Sequence, residues 1–252
     1  RVTLLEPMHW KNGWPVIGVD KQNTGKGEPV VHYKKPDVGK IYPVQTPVES
    51  DEFDKSSLGL QWQWQANPKL TWMMADSLRG KLRLYAYAPP YENVHNYWDI
   101  PNLLLQKIPA PEFTATTKLS FYPDTKQEGE KTGLIIMGQS YAAIQLVHNR
   151  DGVSLVYSKD LKAEKGAAPE DKVLTQIKQD SIYLRVSVTQ GAVCKFSYSL
   201  NGKNFVSANE DAFTATPGKW IGAKIGIFCT KDKVTSDAGY ADFDWFRMEA
   251  VK

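Results

Sequence analysis

The chain has 252 residues, 42% of them hydrophobic and 23% charged, with a formal net charge of +3. That hydrophobic share excludes a wholly disordered chain, and such a length can bury a full core without metal or disulfide staples. Basic and acidic residues are mixed throughout, so no Lys/Arg cluster marks a nucleic-acid or anionic-membrane partner, and no apolar run approaches the roughly 20 residues of a membrane helix.

The chain opens on Arg1 without a signal-peptide pattern, and it is expected to be processed or a piece of something longer. Residues 1–19 read as a hairpin: Arg1-Val-Thr-Leu-Leu5 is β-branched and apolar, Lys11-Asn12-Gly13 supplies a tight turn, and Trp14-Pro-Val-Ile-Gly18 resumes. A lone hairpin is marginal in water. Leu4, Leu5, Met8, Trp10, Trp14 and Ile17 have little beside them to cover them, as at the edge of a sheet whose remainder lies elsewhere. Residues 20–48, rich in Lys, Gly and Pro, read as an extended linker.

Residues 49–252 form the main domain, in which short strands alternate with turn residues. Strands are expected at Gln61–Gln65, Leu82–Ala86, Asn102–Lys107, Phe113–Phe121, Thr132–Gly138, Tyr141–Asn149 and Val153–Tyr157. Others follow at Ser181–Thr189, Cys194–Leu200, Trp220–Cys229 and Tyr240–Met248, with turn signals at Asn149–Gly152, Gln190-Gly191 and Asn201-Gly202. Tyr183, Arg185 and Ser187 alternate with Leu184, Val186 and Val188, so that strand has one polar and one apolar face. No segment keeps a helical period. The fold class is therefore all-β, a two-sheet β-sandwich or jelly roll. Cys194 and Cys229 each fall in a strand and read as buried thiols, a bridge between them being left open.

Chemistry is sparse. The four histidines are scattered singly, and no nucleophile elbow or Gly-rich phosphate loop occurs. Asp242 and Asp244, two apart on a strand, would share a face like the paired acids of a jelly-roll glycosidase, but Phe246 and Arg247 stand where that pattern continues. A structural cation, calcium, suits them better: pairing the first and last strands would gather Asp51 with Asp242 and Asp244 as oxygen ligands. The alternative is ordinary solvated acids with Lys/Arg neighbours. The aromatic share of 12% suits either sugar stacking or a β core, and the loop carrying Tyr91, His95, Tyr97 and Trp98 is a candidate for either sugar or protein contact.

Together, Arg1–Trp10, Gly13–Gly18, Ser50-Asp-Glu-Phe53, Gln61-Trp-Gln-Trp-Gln-Ala-Asn-Pro68, Leu104–Thr114, Phe196–Gly202, Gly218–Gly226 and Tyr240–Arg247 carry a family resemblance over nearly the whole chain. It resembles the C-terminal region of family 43 glycoside hydrolases, the β-xylosidase and α-L-arabinofuranosidase group. The resemblance implies a concanavalin-like sandwich, preceded by a hairpin from the edge of a catalytic five-bladed β-propeller. It further implies that the catalytic acids lie in the propeller, so none is assigned here. The propeller of the same parent protein and an oligosaccharide or plant polysaccharide are the implied partners, and a secreted or periplasmic location follows from it. By the resemblance, Trp220, between Gly218 and Gly222, falls on the loop that walls the sugar pocket; its plain alternative is a core anchor starting a strand. Two other readings are an independent carbohydrate-binding module and a jelly-roll glycosidase in its own right.

Overall fold

The computed structural model describes residues 4–42, 48–89 and 96–250. The chain divides into two units, Arg1–Thr46 and Pro47–Lys252.

In the first unit, β1 (Met8–Lys11) and β2 (Trp14–Ile17) pair antiparallel. Asn12 and Gly13 both take positive φ (51° and 80°), the conformation a two-residue turn between twisted strands requires. The first strand thus starts later than the apolar run at Leu4 and Leu5 suggests, because the register is set by the turn. Nor does the segment after Asp20 run straight on as a linker. Val19 and Glu28 exchange backbone hydrogen bonds, Glu6 accepts from the Val30 N–H, and Asp20 accepts from the Thr24 and Gly25 N–H groups. Leu5, Trp10, Trp14 and Ile17 remain largely exposed.

The second unit contains β3 (Gln63–Trp64), β4 (Met73–Asp76), β5 (Lys81–Tyr85), β6 (Leu103–Lys107), β7 (Phe113–Tyr122) and β8 (Glu130–Met137). It continues with β9 (Tyr141–Asn149), β10 (Gly152–Asp160), β11 (Glu170–Ile177), β12 (Ser181–Thr189) and β13 (Val193–Ser199). The short β14 (Val206–Ser207) and β15 (Phe213–Thr214) precede β16 (Lys224–Lys231) and β17 (Tyr240–Glu249). A seven-stranded sheet runs β11-β10-β9-β8-β16-β6-β3, and an eight-stranded sheet runs β14-β13-β12-β7-β17-β5-β4 with β15 paired to β13. The two form the expected sandwich. Strands β4 and β11 were not legible as separate strands: β4 is short, and β11 is mostly exposed and polar.

The core lies between the inner faces. Leu82 and Leu84 (β5), Leu134 and Ile136 (β8), Leu184 and Val186 (β12), Ile225 and Ile227 (β16), and Phe243 and Phe246 (β17) are all buried in it. Each such side chain contributes roughly 1.5–3 kcal/mol of burial before entropy is deducted. A second apolar cluster covers the outer face of the seven-stranded sheet, where Tyr97 packs on Tyr141 and Phe228 at ring separations of 5.1 and 4.7 Å. The central strands of that sheet are therefore buried on both faces, and β8, β9 and β16 show near-continuous burial for this reason.

Cys194 and Cys229 are both free and buried. Burial pushes the Cys194 thiol up to about 12 and the Cys229 thiol well above its ordinary value. A thiol reagent at neutral pH should accordingly label neither cysteine in the folded protein and both after denaturation. Rapid labelling of either in the native state would show that the sandwich opens. Among the described residues no helix is long and apolar enough to cross a membrane.

Candidate functional site

Trp220 does not start a strand. It lies in the loop between β15 and β16, 82% exposed, with Ile221 beside it at 46%. The base of this loop is locked. The Gln139 N–H donates to the Pro217 carbonyl (3.1 Å), the Ser140 N–H donates to Thr216 Oγ1 (2.9 Å), and Gly138 lies so close that a Cβ there would sit 1.7 Å from the Thr216 carbonyl oxygen. Position 138 must therefore lack a side chain. Lys219 is paired with Glu164 at 3.0 Å and lies 5.8 Å from the Trp98 ring centroid. An exposed indole on a braced base is the arrangement a pocket wall or a docking tip needs. Gly218 and Gly222, which flank it, are not among the positive-φ glycines, so the loop does not depend on their backbone freedom.

The acids expected to gather around a cation do not fit one. Asp242 is held by Arg83 through both oxygens, at 2.7 Å (Nε) and 2.9 Å (Nη2), and this bond raises the Arg83 pKa. Asp244 is paired with Lys118 at 2.5 Å, which raises the Lys118 pKa, and with Lys81 at 3.2 Å. A bulge between Phe243 and Trp245 shifts the alternation on β17: Ala241 and Phe243 enter the core before it, and Phe246 after it. Both carboxylates are thus occupied by the protein's own cations, which also withdraws them from use as a catalytic pair. Among the described residues no group of three or more His, Cys, Asp or Glu is placed to hold a metal ion.

Asp51 has a different task. Its backbone exchanges two hydrogen bonds with Phe246, at 2.7 and 2.8 Å, tying the start of the domain to the last strand. Its Oδ1 accepts from the Phe53 N–H (2.9 Å), and Oδ2 accepts from Trp62 Nε1 (2.8 Å) and Gln61 Nε2 (3.3 Å). Phe53 is buried with φ of 52°, a strained value for a bulky residue, so the carboxylate stabilises a turn that would otherwise open. The expected meeting of first and last strands is real, but it is made by backbone and indole, not by a cation.

Of the aromatic loop, Tyr91 and His95 lie outside the described residues. Tyr97 is buried and its hydroxyl donates to Gln145 Oε1, while Trp98 packs against the second apolar cluster. Three half-buried rings each have an arginine against them: Arg83 over Tyr240 (3.7 Å), Arg185 over Phe205 (3.5 Å) and Arg247 over Trp245 (4.3 Å). Rings engaged in this way are poor platforms for stacking a sugar.

Residues 50–249 match the model of the family described as β-xylosidase C-terminal concanavalin A-like domain. The chain belongs to that family. This concanavalin A-like domain is an accessory domain of GH43 enzymes. It is 34% identical to a β-xylosidase of Formosa agariphila, over 99% of this chain and 43% of that protein. It is 24% identical to a non-reducing end α-L-arabinofuranosidase of Bacteroides ovatus, over 100% of this chain and 45% of that protein. The crystal structure of a GH43 protein of Bacillus licheniformis superposes with a TM-score of 0.67 at 25% identity, over 98% of this chain and 46% of that one. The chain spans less than half the length of these relatives.

Proposed function

We propose that this concanavalin A-like domain docks on the catalytic β-propeller of the same protein and completes its sugar pocket with Trp220, the whole acting on xylan- or arabinan-type polysaccharide. The observation that carries the reading is the exposed Trp220 on a braced loop, in a chain whose paired acids on the last strand, Asp242 and Asp244, are engaged structurally. A second support is the hairpin β1–β2, whose exposed Leu5, Trp10, Trp14 and Ile17 suit the edge of a propeller blade. Two relatives named for β-xylosidase and arabinofuranosidase activity support the substrate class.

In this role the indole supplies a flat apolar wall and excludes water, while proton transfer belongs to acids outside this chain. Trp220→Ala in the parent protein should leave folding intact and reduce kcat/KM on aryl xyloside or arabinofuranoside by about 10- to 100-fold, the effect of losing one well-placed apolar contact. Unchanged kcat/KM would sink the assignment of Trp220. Aryl glycoside turnover by residues 1–252 alone would sink the accessory reading itself.

A further inference from the structure

The loop that carries Trp220 belongs to a closed ring of contacts joining three separate segments of the sandwich. The Glu164 N–H donates to the Gln139 carbonyl (3.1 Å), the Gln139 N–H donates to the Pro217 carbonyl (3.1 Å), and Lys219 Nζ, two residues on, returns to Glu164 Oε1 (3.0 Å). Gln139, in the turn between β8 and β9, thus bonds to a neighbour on each side. Glu164 closes the ring, with its backbone at one end and its carboxylate at the other. The ring ends at the residue before Trp220.

Glu164 is itself fixed. It lies in the short 3-10 turn Ala163–Lys165, and Ala163 is fully buried in the second apolar cluster. Gly166, with φ of 75°, ends the turn, and its N–H returns to the Ala163 carbonyl at 2.9 Å. The buried Asn96 amide donates to the Ala163 carbonyl (3.2 Å) and the Ala167 carbonyl (2.9 Å), and its Oδ1 accepts from the Trp98 N–H (2.9 Å). One side chain therefore ties the Glu164 turn to the segment carrying Trp98, whose ring lies 5.8 Å from Lys219 Nζ, within cation–π range.

We propose, resting on the pocket-wall reading of Trp220, that Glu164 and Lys219 are positioning residues: their ion pair, backed by Trp98, holds the indole outward as a wall of the sugar pocket. The loop needs such a clasp because it stands beside an open groove of about 580 Å³ whose apolar lining includes Ile108, Ala192, Ala215, Pro217, Ile221 and Ala223. An indole released from the clasp lowers its exposure by folding toward that groove, and only the outward fraction serves the pocket. With side-chain exposures of 55% for Lys219 and 26% for Glu164, the pair adds little to folding, so its effect belongs to the loop's position.

The test uses the parent protein with fluorotryptophan in place of tryptophan, the Trp220 ¹⁹F signal being assigned by its disappearance in Trp220→Phe. Glu164→Gln and Lys219→Met are each expected to broaden or split that signal. Each should also lower kcat/KM on aryl xyloside or arabinofuranoside by about two- to fivefold, with Tm unchanged. The double variant should lose no more than either single one, because the same contact is removed in all three. In a Trp220→Ala background Glu164→Gln should cost nothing further, which a merely structural role would not produce. An unaltered ¹⁹F signal in Glu164→Gln, or a loss of kcat/KM that persists in the Trp220→Ala background, would overturn the proposal. Unchanged kcat/KM in Trp220→Ala alone would instead sink the pocket-wall reading, and the ¹⁹F signal would still decide whether the pair places the indole.

Discussion

Phe246→Ala is expected to lower the stability of the sandwich by about 3–5 kcal/mol, the range for deleting a fully buried aromatic side chain. Phe246 is 0% exposed, and its ring meets Trp62 edge-on at a centroid separation of 5.2 Å. Its N–H and carbonyl are the two groups that bind Asp51, so the ring sits where the start of the domain is fastened to its last strand. Removing the ring leaves a cavity between Trp62 and the inner face of β17, and neighbouring strands fixed by their ladders can collapse into it only partly. For a domain of this size the loss corresponds to a fall in Tm of roughly 6–20 °C. Thermal and denaturant unfolding would measure it. A loss below about 1 kcal/mol would mean that the ring is not a core element.

Asp51→Ala should cost about 2–4 kcal/mol, because it strands several donors at once. The Phe53 N–H and Trp62 Nε1 lose their acceptor, and the positive-φ turn at Phe53 loses its brace. Asp51→Asn keeps an acceptor for Phe53 and should be milder. The measurement that separates this account from a cation site is a melting curve with and without a chelator. The geometry predicts the same Tm in both, whereas a structural calcium ion would make Tm fall on chelation. Asp51 and Phe246 share Trp62 as a side-chain partner, one at the indole N–H and the other at the ring, so the double variant should be less destabilised than the sum of the singles.

The same residues show where sequence reasoning reaches and where it stops. The alternation in Ser181–Thr189 appears as an unbroken polar–apolar burial pattern on β12. Such a strand is readable because its two faces meet different media. β11 was unreadable for the opposite reason: mostly exposed, at the end of the sheet order, it has no strong apolar face to impose a period of two. The Asn12-Gly13 turn was legible from its residues, while the strand boundary before it was not, since pairing register overrides β propensity at Leu4 and Leu5.

At the candidate sites the division is sharper. The placement of Trp220 on a loop came from family likeness, while its residues alone also allowed a strand start; the fold leaves it out of β16 and exposes it. Asp51, Asp242 and Asp244 looked alike as acids near the two ends of a sandwich. Which of them met an arginine, a lysine or an indole depended on cross-strand register, and on one bulge that no local pattern announces. The Glu164–Lys219 pair gave no signal at all, because no local pattern joins a turn residue to a loop so far along the chain.

The order of apolar residues alone determined that this chain would fold as a β-sandwich, because alternation and turn chemistry act between near neighbours. Only the tertiary structure decided which polar groups would find partners and which, like Gln106 Nε2, would be buried without one. Those pairings join residues up to nearly two hundred positions apart, and their geometry exists only once both sheets are in register.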